Sequence, residues 1–397
     1  MRFSTQTAYF VLLLLLSFGI RVLASLVSND IIDVLNYGIV AEVIDRNGLF
    51  ALYAQTPGIY PYPPLWVGIE LLSRWVHFQE LIAFSFAVRL PIILADIGIV
   101  AVIWKFLRSS YPNRPMQALL GASLYALNPV SIIITCWHGQ FDAIPVFFLA
   151  LALLLHAKLH WRWAAITLSV GIAFKSFPVL LLPSLALQLP TLSRRAVFAI
   201  VALFPVLLLL LPFLVNDRDA VIRELINYRG AALLGAMVPL RSVYVPLTGQ
   251  SFPVGPTSQL ISLSAYLFLA IYAFAVLQMY RNNKPPEFQA TVIFLLFYTV
   301  YFGIAPQYLL WVLPFMIIAM SSWQWTVVYS MVSTLALIGF YIYAVEGLFP
   351  YSFALPHWMA QVSYGMFGSL WWITCSVMLL HLFWGWHKND DRHPSAS

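Results

Sequence analysis

The chain has 397 residues, of which 61% are hydrophobic and only 9% are charged. Because soluble domains carry about 25% charged residues, the composition excludes a soluble enzyme or a soluble nucleic-acid-binding protein. The net charge of +6 is spread over many short connections, so we interpret it as membrane topology and expect no nucleic-acid partner. The sequence predicts an all-α, polytopic membrane protein.

Apolar runs long enough to cross a bilayer recur along the whole chain. The first, Tyr9–Val27, follows a short basic start, and we expect an uncleaved anchor rather than a signal peptide. The segment Pro64–Phe78 is apolar but short, which predicts a re-entrant or partial helix. We predict about 12 transmembrane helices, at 8–27, 82–107, 116–135, 143–157, 163–174, 177–190, 196–215, 259–280, 288–304, 307–320, 326–345 and 366–386.

The basic residues indicate the orientation. With the N-terminus inside, the short cytoplasmic connections hold most of the Lys and Arg residues, as the positive-inside rule expects. The predicted outer loops are then 28–63, 216–258 and 346–365, and a polar cytoplasmic tail covers 388–397. Long outer loops and short inner ones predict a working surface on the non-cytoplasmic side.

The first outer loop is rich in carboxylates. Asp30, Asp33 and Tyr37 are spaced i, i+3, i+7, so a helix here would place them on one face. A carboxylate in this partly dry setting can act as a general base toward a hydroxyl. The alternative is a loop helix whose acids face water, and we assign Glu42 and Asp45 to that class.

Within the predicted helix 82–107, Arg89 and Asp96 are seven residues apart on one face. An acid near mid-membrane is a functional-site hypothesis by default. The alternative is a structural role for Asp96, with an Asn or Arg of a neighbouring helix as its partner. The two cysteines, Cys136 and Cys375, lie in apolar segments, and we interpret them as small hydrophobic residues.

Two further segments carry candidate ligands. His138 and Asp142 could share a helix face, but a metal site would need a third ligand, for which only Asp33 is attractive. We prefer a polar floor under a sugar, with Gln140 and Asp142 bonded to hydroxyls. Lys175 lies shortly before Pro178, which disfavours helical geometry at the residue that precedes it. The two short apolar segments on either side would therefore form a V with Lys175 at its apex. It could bind a phosphate there, or it could be a snorkelling lysine.

The second outer loop contains four arginines against three acids. Arginine guanidinium groups bind phosphate in a bidentate way, although contact with lipid headgroups would produce the same pattern. The four are Arg218, Arg223, Arg229 and Arg241.

A set of short motifs resembles the GT-C glycosyltransferases, multi-pass enzymes that take a sugar from a polyprenyl-phosphate carrier. The segments Asp33-Val34-x-x-Tyr37, Gly48-x-x-x-x-Tyr53 and Tyr62-Pro63-Pro64-Leu65 are similar to their first outer loop. Arg89 to Asp96 and Lys175-x-x-Pro178 resemble the dolichol-phosphate-glucose-dependent enzymes, and His138-Gly139-Gln140-Phe141-Asp142 fits the same superfamily. Gln307-Tyr308-x-Leu310-Trp311 resembles the GPI-type mannosyltransferases and their bacterial relatives.

The resemblance implies an inverting transfer of a hexose, mannose being favoured, by a single glycosyltransferase domain over 1–397. The implied base is Asp33, with Asp30 as the second candidate, and Asp96 is a structural intramembrane acid. The residues implied at the donor phosphate are Lys175, Arg89, Arg229, Arg241 and His138. Those implied at the sugar or acceptor are Tyr37, Gln140, Asp142, Gln307 and Tyr308.

The resemblance also implies the partners: a polyprenyl-phosphate sugar donor, a lipid-linked or glycan acceptor, and membrane lipids. No cofactor and no metal are expected, because a phosphate leaves well without one. Compact loops and the absence of an Asn-x-Ser/Thr sequon favour a bacterial plasma membrane over the endoplasmic reticulum. A transporter or flippase for polyprenyl-linked glycans is the competing class, and a catalytically dead scaffold is a third. The sequence does not name the acceptor or the oligomeric state.

Overall fold

The structure is a computed structural model that describes residues 5–319, 323–344 and 356–389. This part of the chain is helical and contains no β-strand, only an isolated antiparallel bridge between Leu234 and Ile304. The predicted all-α class is therefore confirmed. The described residues fall into two compact units, 5–228 and 229 onward; the predicted single glycosyltransferase domain over 1–397 stays a prediction.

The first unit contains twelve α-helices among its described residues. They are α1 (Thr5–Val27), α2 (Ile32–Asn47), α3 (Leu52–Gln55), α4 (Leu65–Phe78), α5 (Phe84–Ser110), α6 (Pro115–Ala126), α7 (Pro129–Ile132), α8 (Ala143–Ala157), α9 (Trp161–Phe174), α10 (Leu182–Leu187), α11 (Leu192–Asn216) and α12 (Arg218–Val221). Short 3₁₀ turns cover Leu49–Ala51 and Phe177–Leu181, and π-helical turns cover Ile133–His138 and Ile222–Ile226.

The second unit has six α-helices in its described part. They are α13 (Met237–Thr248), α14 (Val254–Arg281), α15 (Pro286–Val300), α16 (Leu313–Ala319), α17 (Gln324–Ala344) and α18 (His357–Asn389), with a 3₁₀ turn at Pro306–Leu310.

Six of the described helices are long and apolar enough to cross a membrane: α1, α5, α11, α14, α17 and the His357–Trp384 part of α18. A seventh span results if Pro115–Ala126 and Pro129–His138, which are bent by 41°, are counted as one. Most of the other predicted spans are apolar helices of only 10–17 residues. The multi-pass character is thus confirmed, while the count of about 12 is not.

The break between α6 and the following turn has a local cause. The Asn128 side chain accepts a hydrogen bond from the Val130 N–H, and Pro129 occupies the first helical position, where its missing N–H is harmless. The chain then continues as the π-helical turn Ile133–His138, which ends at Gly139, whose φ is +73°. His138 is therefore the last residue of this buried turn.

A buried ion pair joins α1 to α5. Arg21 Nε lies 2.6 Å from Asp96 Oδ2, and both side chains are fully buried. The Tyr125 hydroxyl donates to Asp96 Oδ1, and Ser131 donates to Oδ2. Asp96 therefore has the arginine partner on a neighbouring helix that the structural alternative requires, and Arg89 on its own helix bonds elsewhere.

Three predicted loops differ from the structure. Helix α2 begins at Ile32, so Asp30 precedes the helix and does not share its face with Asp33 and Tyr37. Helices α12 and α13 lie inside the predicted loop 216–258. In the third loop, 345–355 lie outside the described residues, and α18 is helical from His357, where loop was predicted to 365. The predicted tail, 388–397, lies outside the described residues from 390 onward.

Candidate active site

Asp33 and His138 form the centre of a polar cluster in the first unit. His138 Nε2 is hydrogen-bonded to Asp33 Oδ2, although 105 residues separate them in the chain. The Asp33 side chain is 25% exposed, whereas that of His138 is buried. Burial tends to raise the pKa of Asp33, but the hydrogen bond and charge of His138 lower it, and the result lies below the ordinary value. Asp33 is thus an ionised carboxylate with an open side.

Lys175 and Asp142 form a second, buried pair. Lys175 Nζ lies 2.7 Å from Asp142 Oδ2, and it also lies 5.0 Å from the ring centroids of Tyr62 and Phe141. The backbone of Lys175 is extended (φ −154°, ψ 140°), so α9 ends before it as the V-shaped prediction requires. Because Lys175 is only 6% exposed, the snorkelling alternative does not fit. Its charge also acts on Asp33.

Arg89 pairs with Asp30, which is the second candidate base. Arg89 Nη1 lies 2.8 Å from Asp30 Oδ1, and Nη2 lies 3.4 Å from the Asn29 carbonyl and 3.5 Å from that of Trp137. The guanidinium group therefore ties α5 to the residues just before α2 and to the π-helical turn. Asp30 remains 38% exposed.

Gly139 allows the backbone to pass close to these groups. A Cβ atom there would lie 2.6 Å from Val34 Cγ2 and 3.1 Å from Arg89 Nε. Its φ of +73° is also unfavourable for side chains of L-residues. Glycine is thus required both by conformation and by space, and it brings His138 up to α2.

An aromatic wall encloses the cluster. Trp66 stacks on Phe141 with ring centroids 4.3 Å apart, Tyr37 meets Trp66 edge-on at 5.2 Å, and Tyr62 meets Phe141 edge-on at 4.9 Å. Gln140, predicted at the sugar, is fully buried and close to Asp33 and Tyr62. Neither of its amide atoms makes a hydrogen bond of ordinary geometry to the described residues. The wall therefore contains polar groups available for a hydroxyl ligand.

Sequence reasoning missed one acid in this wall, Glu70. It lies on the buried face of α4 with Trp66, Val67 and Ser73, and it is fully buried. Its signal in the sequence is a single acid inside the apolar segment Pro64–Phe78, one turn after Trp66. An acid buried among apolar residues is costly, which makes Glu70 a candidate as well. In contrast, Glu42 and Asp45 are exposed as predicted, paired with Arg46 and Arg74.

Four predicted site residues lie in the second unit. Arg241 Nη1 donates to the Ala232 carbonyl at 2.6 Å, and the Arg229 carbonyl accepts from the Tyr301 hydroxyl. Gln307 and Tyr308 are buried, and the Tyr308 ring stacks on Trp311 with centroids 4.0 Å apart. The other two loop arginines belong to the first unit, where Arg223 pairs with Glu224 and Arg218 begins α12.

The metal alternative can be examined directly. Within the described ranges, no group of three or more His, Cys, Asp or Glu side chains could hold a metal ion. Asp33, His138 and Asp142 do not form such a group in this geometry. Cys136 and Cys375 are both free and buried.

The family model of Glycosyltransferase family 87 matches residues 60–303, more than half of the chain. The match includes His138, Asp142, Lys175 and Glu70, and it begins after Asp33. No curated protein matches the chain. The chain belongs to Glycosyltransferase family 87, a GT-C-type family of membrane glycosyltransferases.

Proposed function

We propose that the protein transfers a hexose, with mannose as the first candidate, from a polyprenyl-phosphate carrier to an acceptor hydroxyl, with inversion at the anomeric carbon. The observation that carries the proposal is the half-open Asp33 carboxylate, held by His138 beside two buried cations. Such an arrangement suits a reaction in which a proton leaves a hydroxyl while a phosphate departs.

Asp33 is the proposed base. Its lowered pKa keeps it ionised at neutral pH, and its exposed oxygen can accept the acceptor's proton. The acceptor oxygen then forms a bond to the anomeric carbon, the bond from that carbon to the phosphate oxygen breaks, and the electron pair leaves with the polyprenyl phosphate. One displacement gives inversion. Asp30 is a weaker candidate because its partner Arg89 is always charged, whereas the partner of Asp33 is an imidazole.

Lys175 and Arg89 are the cations of the first unit proposed to stabilise the leaving phosphate, with His138 as a further donor. Both cations have carboxylate partners, Asp142 and Asp30, so a phosphate would share them rather than meet bare charges. Arg229 and Arg241 of the second unit stay candidates for the same carrier. Preorganised positive charge at a leaving group is commonly the largest contribution to such catalysis.

The sugar and acceptor are proposed to contact Tyr37, Gln140 and Asp142, together with Gln307 and Tyr308. Buried side-chain amide atoms that make no hydrogen bond of ordinary geometry to the described residues, as in Gln140, are costly unless a ligand or water satisfies them. We further propose that the site faces the non-cytoplasmic side of a bacterial plasma membrane, which agrees with the arginine and lysine distribution. Membrane lipids would surround it, and no cofactor takes part.

A transfer assay with purified protein tests this function. The protein in vesicles is given a polyprenyl-phosphate mannose labelled in the sugar, with a membrane lipid extract as the source of acceptor. We expect free polyprenyl phosphate and a labelled acceptor to appear together, with the linkage inverted. Asp33→Asn should lower the rate by about a hundredfold or more, while the exposed control Glu42→Gln should not.

Two outcomes would contradict the proposal. Redistribution of intact labelled lipid across the vesicle, without release of polyprenyl phosphate, would indicate a flippase. Transfer by Asp33→Asn at the wild-type rate would remove Asp33 from the role of base. Parallel assays with glucose and other hexose carriers identify the sugar.

A further inference from the structure

Three carboxylates of the site have a cationic or imidazole partner, whereas Glu70 has none among the described residues. Asp30 pairs with Arg89, Asp33 with His138 and Asp142 with Lys175. Glu70 is fully buried, and neither of its carboxyl oxygens has a hydrogen-bond partner of ordinary geometry among the described residues. A buried carboxylate without a counter-ion is very unfavourable, so the group is expected to be neutral.

The groups that face Glu70 support this protonation state. The nearby Trp66 indole lowers the pKa of Glu70, but burial has the larger effect and raises it well above the ordinary value. Tyr37 of α2 and Tyr60 of the preceding loop are the nearby hydroxyls. Helices α5 and α9 also pack on α4, but Arg89 of α5 is paired with Asp30 and Arg162 of α9 is exposed.

The Tyr37 hydroxyl is near two acids, Asp33 and Glu70. Burial raises the pKa of Tyr37, and the negative charge of Asp33 raises it further. Tyr37 is 3% exposed, and its hydroxyl has no hydrogen-bond partner in the described part of the chain. The Tyr60 hydroxyl, by comparison, accepts from the Val67 N–H and donates to the Pro63 carbonyl. Tyr37 is therefore the hydroxyl with hydrogen bonds still to make.

The donors and acceptors of these groups determine the direction in which hydrogen bonds between them can run. A neutral carboxyl has one O–H to donate and a carbonyl to accept, an indole can only donate, and a phenol can do both. The Trp66 indole can therefore donate only to the carbonyl of Glu70, which would leave the O–H of Glu70 for the Tyr37 oxygen. The Tyr37 proton would then be available to the carboxylate of Asp33. Buried water can complete such links where the atoms do not touch.

We propose that protonated Glu70 donates to the Tyr37 hydroxyl, which in turn donates toward Asp33, so that Glu70 and Tyr37 are positioning residues for the base. The inference rests on the proposed function for its catalytic meaning. The hydrogen-bond chain favours the ionised form of Asp33 and holds its carboxylate in one orientation. Neither Glu70 nor Trp66 contacts the reacting atoms in this account.

Infrared difference spectroscopy on the purified full chain tests the protonation state without any sugar donor. The carbonyl band of a protonated carboxyl should be present in the wild type at neutral pH. It should disappear in Glu70→Gln and remain in the exposed control Glu42→Gln. If Glu70→Gln removes no such band, Glu70 is ionised and the proposal is wrong.

The link to Asp33 is tested by following the Asp33 titration, as the difference between each protein and its Asp33→Asn version. Glu70→Leu and Tyr37→Phe should raise the Asp33 midpoint by about one pH unit, since each removes a hydrogen bond that favours the charged form. Glu70→Gln keeps a donor and an acceptor and should leave the midpoint within about half a unit. Should Glu70→Leu fail to fold, Tyr37→Phe, which removes a single oxygen, carries the test.

Transfer rates complete the comparison. Glu70→Leu should lower the rate by about tenfold or more, whereas Glu70→Gln should stay within about threefold of the wild type. An unchanged Asp33 midpoint in both Glu70→Leu and Tyr37→Phe overturns the inference even if transfer is observed. A wild type that transfers no sugar overturns the proposed function alone, because the infrared results do not depend on activity.

Discussion

His138 Nε2 is hydrogen-bonded to Asp33 Oδ2, so the last residue of a buried π-helical turn holds a carboxylate at the start of α2. The contact joins two segments that are far apart in the chain. It also makes the ionisation of Asp33 depend on a second side chain.

The pH dependence of transfer should reveal this contact. The pKa of Asp33 is lowered. The stability that its ionised carboxylate contributes is therefore complete above the ordinary carboxyl pKa, and it is lost only as the pH falls through the lower pKa of the folded protein. In His138→Ala the hydrogen bond is gone and burial remains, which raises the pKa. We expect the acid limb of the rate profile to move up by about one pH unit and the rate at neutral pH to fall. An acid limb at the wild-type position in His138→Ala would show that the contact does not control Asp33.

A double-mutant comparison should separate the structural role of the Lys175–Asp142 pair from a role of Lys175 in transfer. Removing one partner of a buried pair costs about 3–5 kcal/mol, because a buried charge is left alone. Lys175→Gln and Asp142→Asn should each destabilise the detergent-solubilised protein, and the double variant should recover part of the loss. If Lys175 also stabilises the leaving phosphate, transfer should stay low in the double variant. Recovery of stability and transfer together would assign Lys175 a structural role only.

Arg21 and Asp96 should behave differently, because the pair lies in the membrane segments and contacts no residue proposed to touch substrate. Arg21→Met or Asp96→Asn should each cost about 3–5 kcal/mol of stability. The double variant Arg21→Met with Asp96→Asn should cost less than the sum of the two. Additive losses, measured by chemical unfolding, would indicate that the two side chains do not interact. Protein that remains folded should retain its pH profile.

Gly139 offers a test of backbone geometry. In Gly139→Ala the new Cβ atom would clash with the Val34 side chain, and the residue would have to adopt a left-handed φ. We therefore expect a loss of about 1–3 kcal/mol of stability and a lower transfer rate. Gly249→Ala has a φ of +66° with open space around it and should show the conformational part of the cost alone. Gly68→Ala in α4, with open space and helical φ, should be neutral or slightly stabilising. Equal stability of the Gly139 and Gly68 variants would contradict this account.

The sequence predicted most helices because apolar length is a local property. Ala143–Ala157 is found at the residues predicted, and Trp161–Phe174 begins two residues early. The count of about 12 spans is not confirmed for the same reason, since several of the apolar helices have only 10–17 residues. Local composition cannot tell a short spanning helix from one packed beside a site.

The site was only partly predictable. Asp33, His138 and Lys175 could be selected by motif, but their partners could not. The pairing of Arg89 with Asp30, and of Lys175 with Asp142, depends on tertiary distances that spacing does not encode. Asp30 was placed on the face of Asp33 because a helix was assumed from residue 30, whereas α2 begins at Ile32. Glu70 was overlooked because its helix was judged by length alone.

The π-helical turn at Ile133–His138 has a consequence for comparing family members. A π-turn holds one residue more than an α-turn, and one residue of an α-helix corresponds to a rotation of about 100°. A relative with a regular helix here needs a one-residue gap when its chain is aligned with this one. Deleting a single residue between Ile133 and Trp137 would turn His138 away from Asp33 while leaving the composition almost unchanged. At this position the register of the chain, as much as its residue types, decides whether the site exists.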